Sequence, residues 1–159
     1  MKLQSKLQKF GLQNLKLKTS FLEVDWQPNP IDQQAAWELY IELLTRVATQ
    51  PLAGQEGQEN SALSSVYSIF PTTREILKSK GRECSDFSKI AIVVLNQVIR
   101  PFTAKWHPLS EKEAFKDRSH CEQFRADLLS LQKHLKNYTA LLADIAGVED
   151  LTELENGSL

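Results

Sequence analysis

Cysteine is scarce in this sequence: Cys84 and Cys121 are the only two among 159 residues. Two cysteines make no disulfide framework, and neither lies in a C-x-x-C or Cys/His cluster, so a structural zinc site has no support. Two free thiols suit a reducing compartment, and the expected location is cytoplasmic. Glycine is sparse too, at six residues. None of them builds a G-x-G-x-x-G or G-x-x-x-x-G-K loop, which removes the usual phosphate cradles of nucleotide-binding proteins. The chain implies no cofactor. No stretch approaches the ~18 consecutive apolar residues of a membrane span, and the N-terminus lacks the continuous apolar stretch of a signal peptide. Nor does one sign of charge dominate: 19 basic and 20 acidic residues leave a net charge of −1. Whole-chain attraction to nucleic acid or acidic membranes is thereby excluded, and only a local basic patch can provide such contacts.

Catalytic groupings are equally thin. No nucleophile sits in a glycine-rich elbow. His120, Cys121 and Glu122 are consecutive, and neighbours on a helix point about 100° apart, so they form no single metal site. Glu38 and Glu42 lack the matching Glu-x-x-His motifs of a di-metal bundle. No metal site is expected.

What is present is apolar periodicity. Residues 1–14 form a basic N-terminal segment; Lys2, Lys6, Lys9, Lys16 and Lys18 all precede the first acid, Glu23. Leu3, Leu7 and Phe10 fall at helical spacing, which fits either a surface helix touching a membrane or acidic partner, or a short helix docked on its own domain. Leu15, Leu17, Thr19 and Phe21 alternate with other residues, and Leu22, Val24 and Trp26 continue on the opposite parity. That pattern predicts a strand over 15–26 with a bulge or turn at the flip. A lone strand must pair, so Leu22, Val24 and Trp26 are expected to belong to an interaction surface.

Four helical patterns follow. The first starts near Ile31 after Pro28-Asn29-Pro30 and runs to about Thr49, with Glu42 and Arg46 as an i,i+4 pair. Residues 51–59 read as a loop. The second begins near Asn60 and is kinked or split by Pro71. The third starts with Ser85 as N-cap and carries the most apolar run, Ile90 to Leu95, on to Phe102. The fourth has Cys121, Phe124, Leu128, Leu131, Leu135, Tyr138, Leu142 and Ile145 at alternating intervals of three and four, a heptad seam that Gly147 ends. The expected fold is mostly α: an antiparallel four-helix bundle with a short N-terminal extended segment over 15–147, then an acidic, disordered tail over 148–159.

One segment combines charge and aromatics more densely than any other: Arg100-Pro101-Phe102-Thr103-Ala104-Lys105-Trp106-His107-Pro108. Phe102 and Trp106 are expected to anchor it in the core, with Arg100, Lys105 and His107 at the negative end of the third helix, which Pro101 should break. Lys105 and Trp106 also qualify as a small contact surface for a partner, and nucleic acid is the weaker possibility for them. Arg100, six residues and then His107 on a helical scaffold resemble the motif of the HEPN superfamily of metal-independent ribonucleases. That resemblance implies a homodimer in which the Arg and His meet their mates across an interface, activate an RNA 2′-hydroxyl and stabilise a phosphate. The leading expectation is a non-enzymatic helical module that docks a protein partner, or itself, by a helix face or a strand edge. The HEPN-like ribonuclease is the alternative.

Overall fold

The computed structural model describes residues 1–46, 49, 52 and 58–152. They are mostly helical, with no strand among the described residues. Among the described residues are eight α-helices: α1 (Leu3–Lys9), α2 (Thr19–Leu22), α3 (Pro30–Leu44), α4 (Glu59–Tyr67), α5 (Ile69–Lys80), α6 (Ser85–Val94), α7 (Arg100–Glu111) and α8 (Arg118–Ala146). The expected loop over 51–59 lies outside the described residues except for Leu52, Gln58 and Glu59, and so does the tail from 153 to 159.

The heptad seam of α8 is the spine of the core. Phe124, Leu128, Leu131, Leu135, Tyr138, Leu142 and Ile145 are all buried, while Cys121 at the start is half-buried. Each such large apolar side chain contributes about 1.5–3 kcal/mol on burial. Helix α3 lies along α8 and against α5, with Ala35 and Ala36 letting its backbone come close and Leu39, Tyr40 and Leu43 filling the seam. Gly147 stops α8 in a left-handed conformation at φ 73°. The Val148 N–H then donates to the Ala143 carbonyl at 3.0 Å, closing the orphaned end. Part of the tail that follows is tied down: the Leu151 N–H donates to the Tyr40 hydroxyl at 2.7 Å.

Proline shapes two helices in different ways. Pro71 splits the second pattern: α4 ends at Tyr67, Ser68 makes the joint, and Pro71 falls in the first turn of α5, where a missing N–H costs nothing. Pro101 breaks nothing, contrary to expectation. Helices α6 and α7 are joined by a π-helical turn, Leu95–Ile99, and the helical rod runs from Ser85 to Glu111 through both Pro101 and Pro108. The Arg100 N–H reaches five residues back to the Leu95 carbonyl. The widened turn makes room for the pyrrolidine ring that would clash in a regular helix.

The segment 15–26 corrects a second expectation. Its centre, at the parity flip, is the helical turn α2 rather than a strand. Leu15 and Trp26 enter the core and Leu17, Phe21 and Leu22 pack on its edge. The N-terminal basic segment is docked as well. Leu3 and Leu7 are fully buried, the Leu3 N–H donates to the Val24 carbonyl at 2.9 Å, and Lys6 pairs with Asp144 of α8 at 2.8 Å. The apolar face of α1 therefore belongs to the protein's own core.

Candidate functional site

The residues singled out in the sequence do not come together as one site. Trp106 is fully buried, so it offers no contact surface. Its indole ring stacks on Phe115 at 5.9 Å and meets Phe124 edge-on at 5.2 Å, and Phe102 in turn packs on Phe124 at 5.4 Å. The indole N–H donates to the Asp127 carboxylate at 3.0 Å, and Lys105 holds the same oxygen at 2.6 Å. Trp26 is buried too, edge-on to Phe21. Leu22 is half-buried against the core, which leaves Val24 as the one well-exposed apolar residue of the three.

Arg100 and His107 lie seven residues apart on α7, two turns or roughly 10 Å along one helix face. Neither caps the end of the third helix. The Arg100 guanidinium lies over the Phe70 ring at 4.8 Å and donates to Asn96 Oδ1 at 3.0 Å. The His107 ring stacks on Tyr67 at 5.8 Å and 18°, with Nε2 3.3 Å from the Glu111 carboxylate. Tyr67 and Phe70 are themselves 6.1 Å apart. The result is a row, Arg100, Phe70, Tyr67 and His107, across the joint of α4, α5 and α7, in which Phe70 is buried and the other three are exposed.

A larger feature lies elsewhere, between the end of α5, the outer face of α6 and the segment 16–21. It is a groove of about 970 Å³, open to solvent on one side. Leu17, Phe21, Leu77, Ile92 and Val93 make its floor. Lys16 and Lys18 stand on one bank, Lys78 and Arg82 on the other, and Lys89 on α6. Among the described residues that line it there is no carboxylate. Lys89 is held by Asp86 at 2.6 Å and lies over the Phe21 ring at 4.6 Å. The side chains of Lys16, Lys18, Lys78 and Arg82 form no ion pair among the described residues, although Lys80 nearby does, with Glu38 at 3.0 Å. An apolar floor under unpaired cations suits an amphiphilic, negatively charged ligand.

Two lysines of this groove were conspicuous in the sequence, because no acid precedes Glu23. Ile92 was legible as part of the apolar run. Nothing local marked Leu77, Lys78, Arg82 and Lys89 as their neighbours, since some sixty to seventy residues separate the two banks.

Burial, and then the neighbouring Glu59 carboxylate, push the Cys121 thiol up, which keeps it a poor nucleophile. Glu59 itself is buried and held by Arg125 at 3.0 Å. No helix among the described residues is long and apolar enough to cross a membrane. Comparison of the chain with known protein families, with curated proteins and with solved structures finds no match.

Proposed function

We propose that the protein is a non-enzymatic interaction module that docks a segment of a partner protein in the groove between α5, α6 and residues 16–21. The observation that carries this reading is the groove itself: its apolar floor is exposed, with Ile92 at 47% of its surface open to solvent. Monomeric proteins seldom leave a contiguous apolar patch of this kind without use. The scaffold we propose for the module is an antiparallel four-helix bundle, since the helical rods 30–44, 59–80, 85–111 and 118–146 contribute to one shared core.

A peptide-display library panned on the protein tests the docking reading, with Ile92→Asp as the counter-screen. Peptides that bind the wild type and lose the variant support it. A library that yields no groove-dependent binder sinks it. Ile92 is solvent-facing, so its substitution leaves the core intact.

A HEPN-like ribonuclease acting as a homodimer is the second reading. It is favoured by one observation: Arg100 and His107 share a face of an unbroken helix and both are exposed. RNA cleavage in the presence of a metal chelator, abolished in His107→Ala, is its expected signature. A strictly monomeric species by light scattering, with no cleavage, rules it out.

A further inference from the structure

We infer that the segment received by the groove is an acidic amphipathic helix. This rests on the reading of the groove as a protein-docking site, and it goes further by naming the chemistry of the occupant.

The shape argues for a helix. Docking by strand addition needs a sheet edge with unpaired backbone groups, and no strand exists among the described residues. A trough with a continuous apolar floor instead receives the i, i+3, i+4 and i+7 side chains of a helix, as other helix-in-groove complexes do. The floor runs from Leu17 and Phe21 across Ile92 and Val93 to Leu77, so both banks and the bottom are apolar at depth.

The charge argues for acids. Lys16 and Lys18 face Lys78 and Arg82 across the trough, and none of the four has an ion-pair partner among the described residues. Cations beside acids elsewhere are paired, as Lys6 is with Asp144, Lys80 with Glu38, Lys105 with Asp127 and Arg125 with Glu59. The groove lining thus gathers five cations, Lys16, Lys18, Lys78, Arg82 and Lys89, and no carboxylate around one apolar floor, in a chain whose net charge is only −1. A helix with its apolar stripe down carries its flanking residues to the two banks. Glutamate or aspartate at those flanks meets a cation on either side, whereas lysine there meets only like charge. Such rim pairs act mainly on encounter rate and specificity, so binding weakens as salt rises.

The groove-dependent peptides from the display selection provide the test, measured by titration calorimetry against the wild type and against Lys78→Glu/Arg82→Glu. Both substituted side chains are exposed, and a matched melting curve verifies that the variant is folded. Acid-rich binders are expected, weakened roughly tenfold or more by the double reversal and several-fold between 50 and 300 mM salt. Groove-dependent binders that are neutral or basic, or that ignore the reversal, overturn the acidic helix and leave the docking reading standing. No groove-dependent binder at all defeats both. Phosphatidylserine vesicles that bind the wild type and lose the double reversal, where acidic peptides do not bind, overturn the helix in favour of a lipid surface.

Discussion

The side-chain amide of Gln97 pairs with the backbone of Lys16 in both directions: Nε2 donates to the Lys16 carbonyl at 3.0 Å, and Oε1 accepts its N–H at 2.8 Å. One side chain supplies what a neighbouring strand would have supplied. Gln97 lies in the π-helical turn ahead of Pro101, so the irregular turn that accommodates the proline also fastens the segment 16–21 to the helical rod. That segment is one bank of the groove. Gln97→Ala should cost only about 1 kcal/mol of stability, because water replaces the lost bonds at an exposed site. It should also free Lys16: faster amide exchange there and several-fold weaker binding of groove-dependent peptides. Unchanged exchange at Lys16 would show that the tether carries nothing.

Asp32 joins two helices. Its carboxylate completes the capping box of α3 by accepting the Asn29 N–H, and its other oxygen accepts the Phe87 N–H in the first turn of α6 at 3.1 Å. The side chain is 1% exposed, and its removal leaves the buried Phe87 N–H and the part-buried Asn29 N–H without their partner. Asp32→Ala should destabilise the protein by about 2–4 kcal/mol, read as a shift in the urea midpoint. A loss below half a kcal/mol contradicts the double-capping role.

Tyr138 presents the opposite case. Its hydroxyl is buried with no hydrogen-bond partner among the described residues, and burial pushes the phenol far above its usual range. Tyr138→Phe should therefore be neutral or stabilising by about 1 kcal/mol at pH 7. The sign with pH follows from the raised folded pKa. The unfolded chain gives up this proton near pH 10 while the folded one keeps it, so this residue's contribution is intact below about pH 10 and falls as pH rises further. Denaturation curves at pH 8 and 10.5 should show a smaller loss for the phenylalanine variant.

Asp127 serves Lys105 and the Trp106 indole with one carboxylate oxygen. Asp127→Ala strands a buried N–H inside the aromatic cluster and should cost about 1–3 kcal/mol, whereas Lys105→Ala, which removes only an exposed partner, should cost about 1 kcal/mol or less. Equal losses for the two variants would mean that the ion pair, not the indole bond, is what matters.

Much of the helical fold was legible in the chain. The α8 heptad, its stop at Gly147, the division of α4 from α5 by Pro71 and the anchoring of Phe102 and Trp106 all follow from local rules, because periodicity, φ restriction and capping act within a few residues. Two features misled. The alternation from Leu15 to Trp26 reads as a strand, yet a segment that finds its partners in Gln97 and in the core has no need of one. Pro101 reads as a helix end, yet a single widened turn absorbs it.

The sequence by itself determined that this protein is mostly helical and that the heptad seam of α8 is buried, since both depend on residue spacing. Only the tertiary structure decided where its charge is concentrated. Lys16 and Lys18 come to face Lys78 and Arg82 because α1 docks on α8 and the segment after it crosses to α5 and α6. Charge at a surface is set by which chain segments meet there, and no local pattern in a chain of near-zero net charge records that meeting.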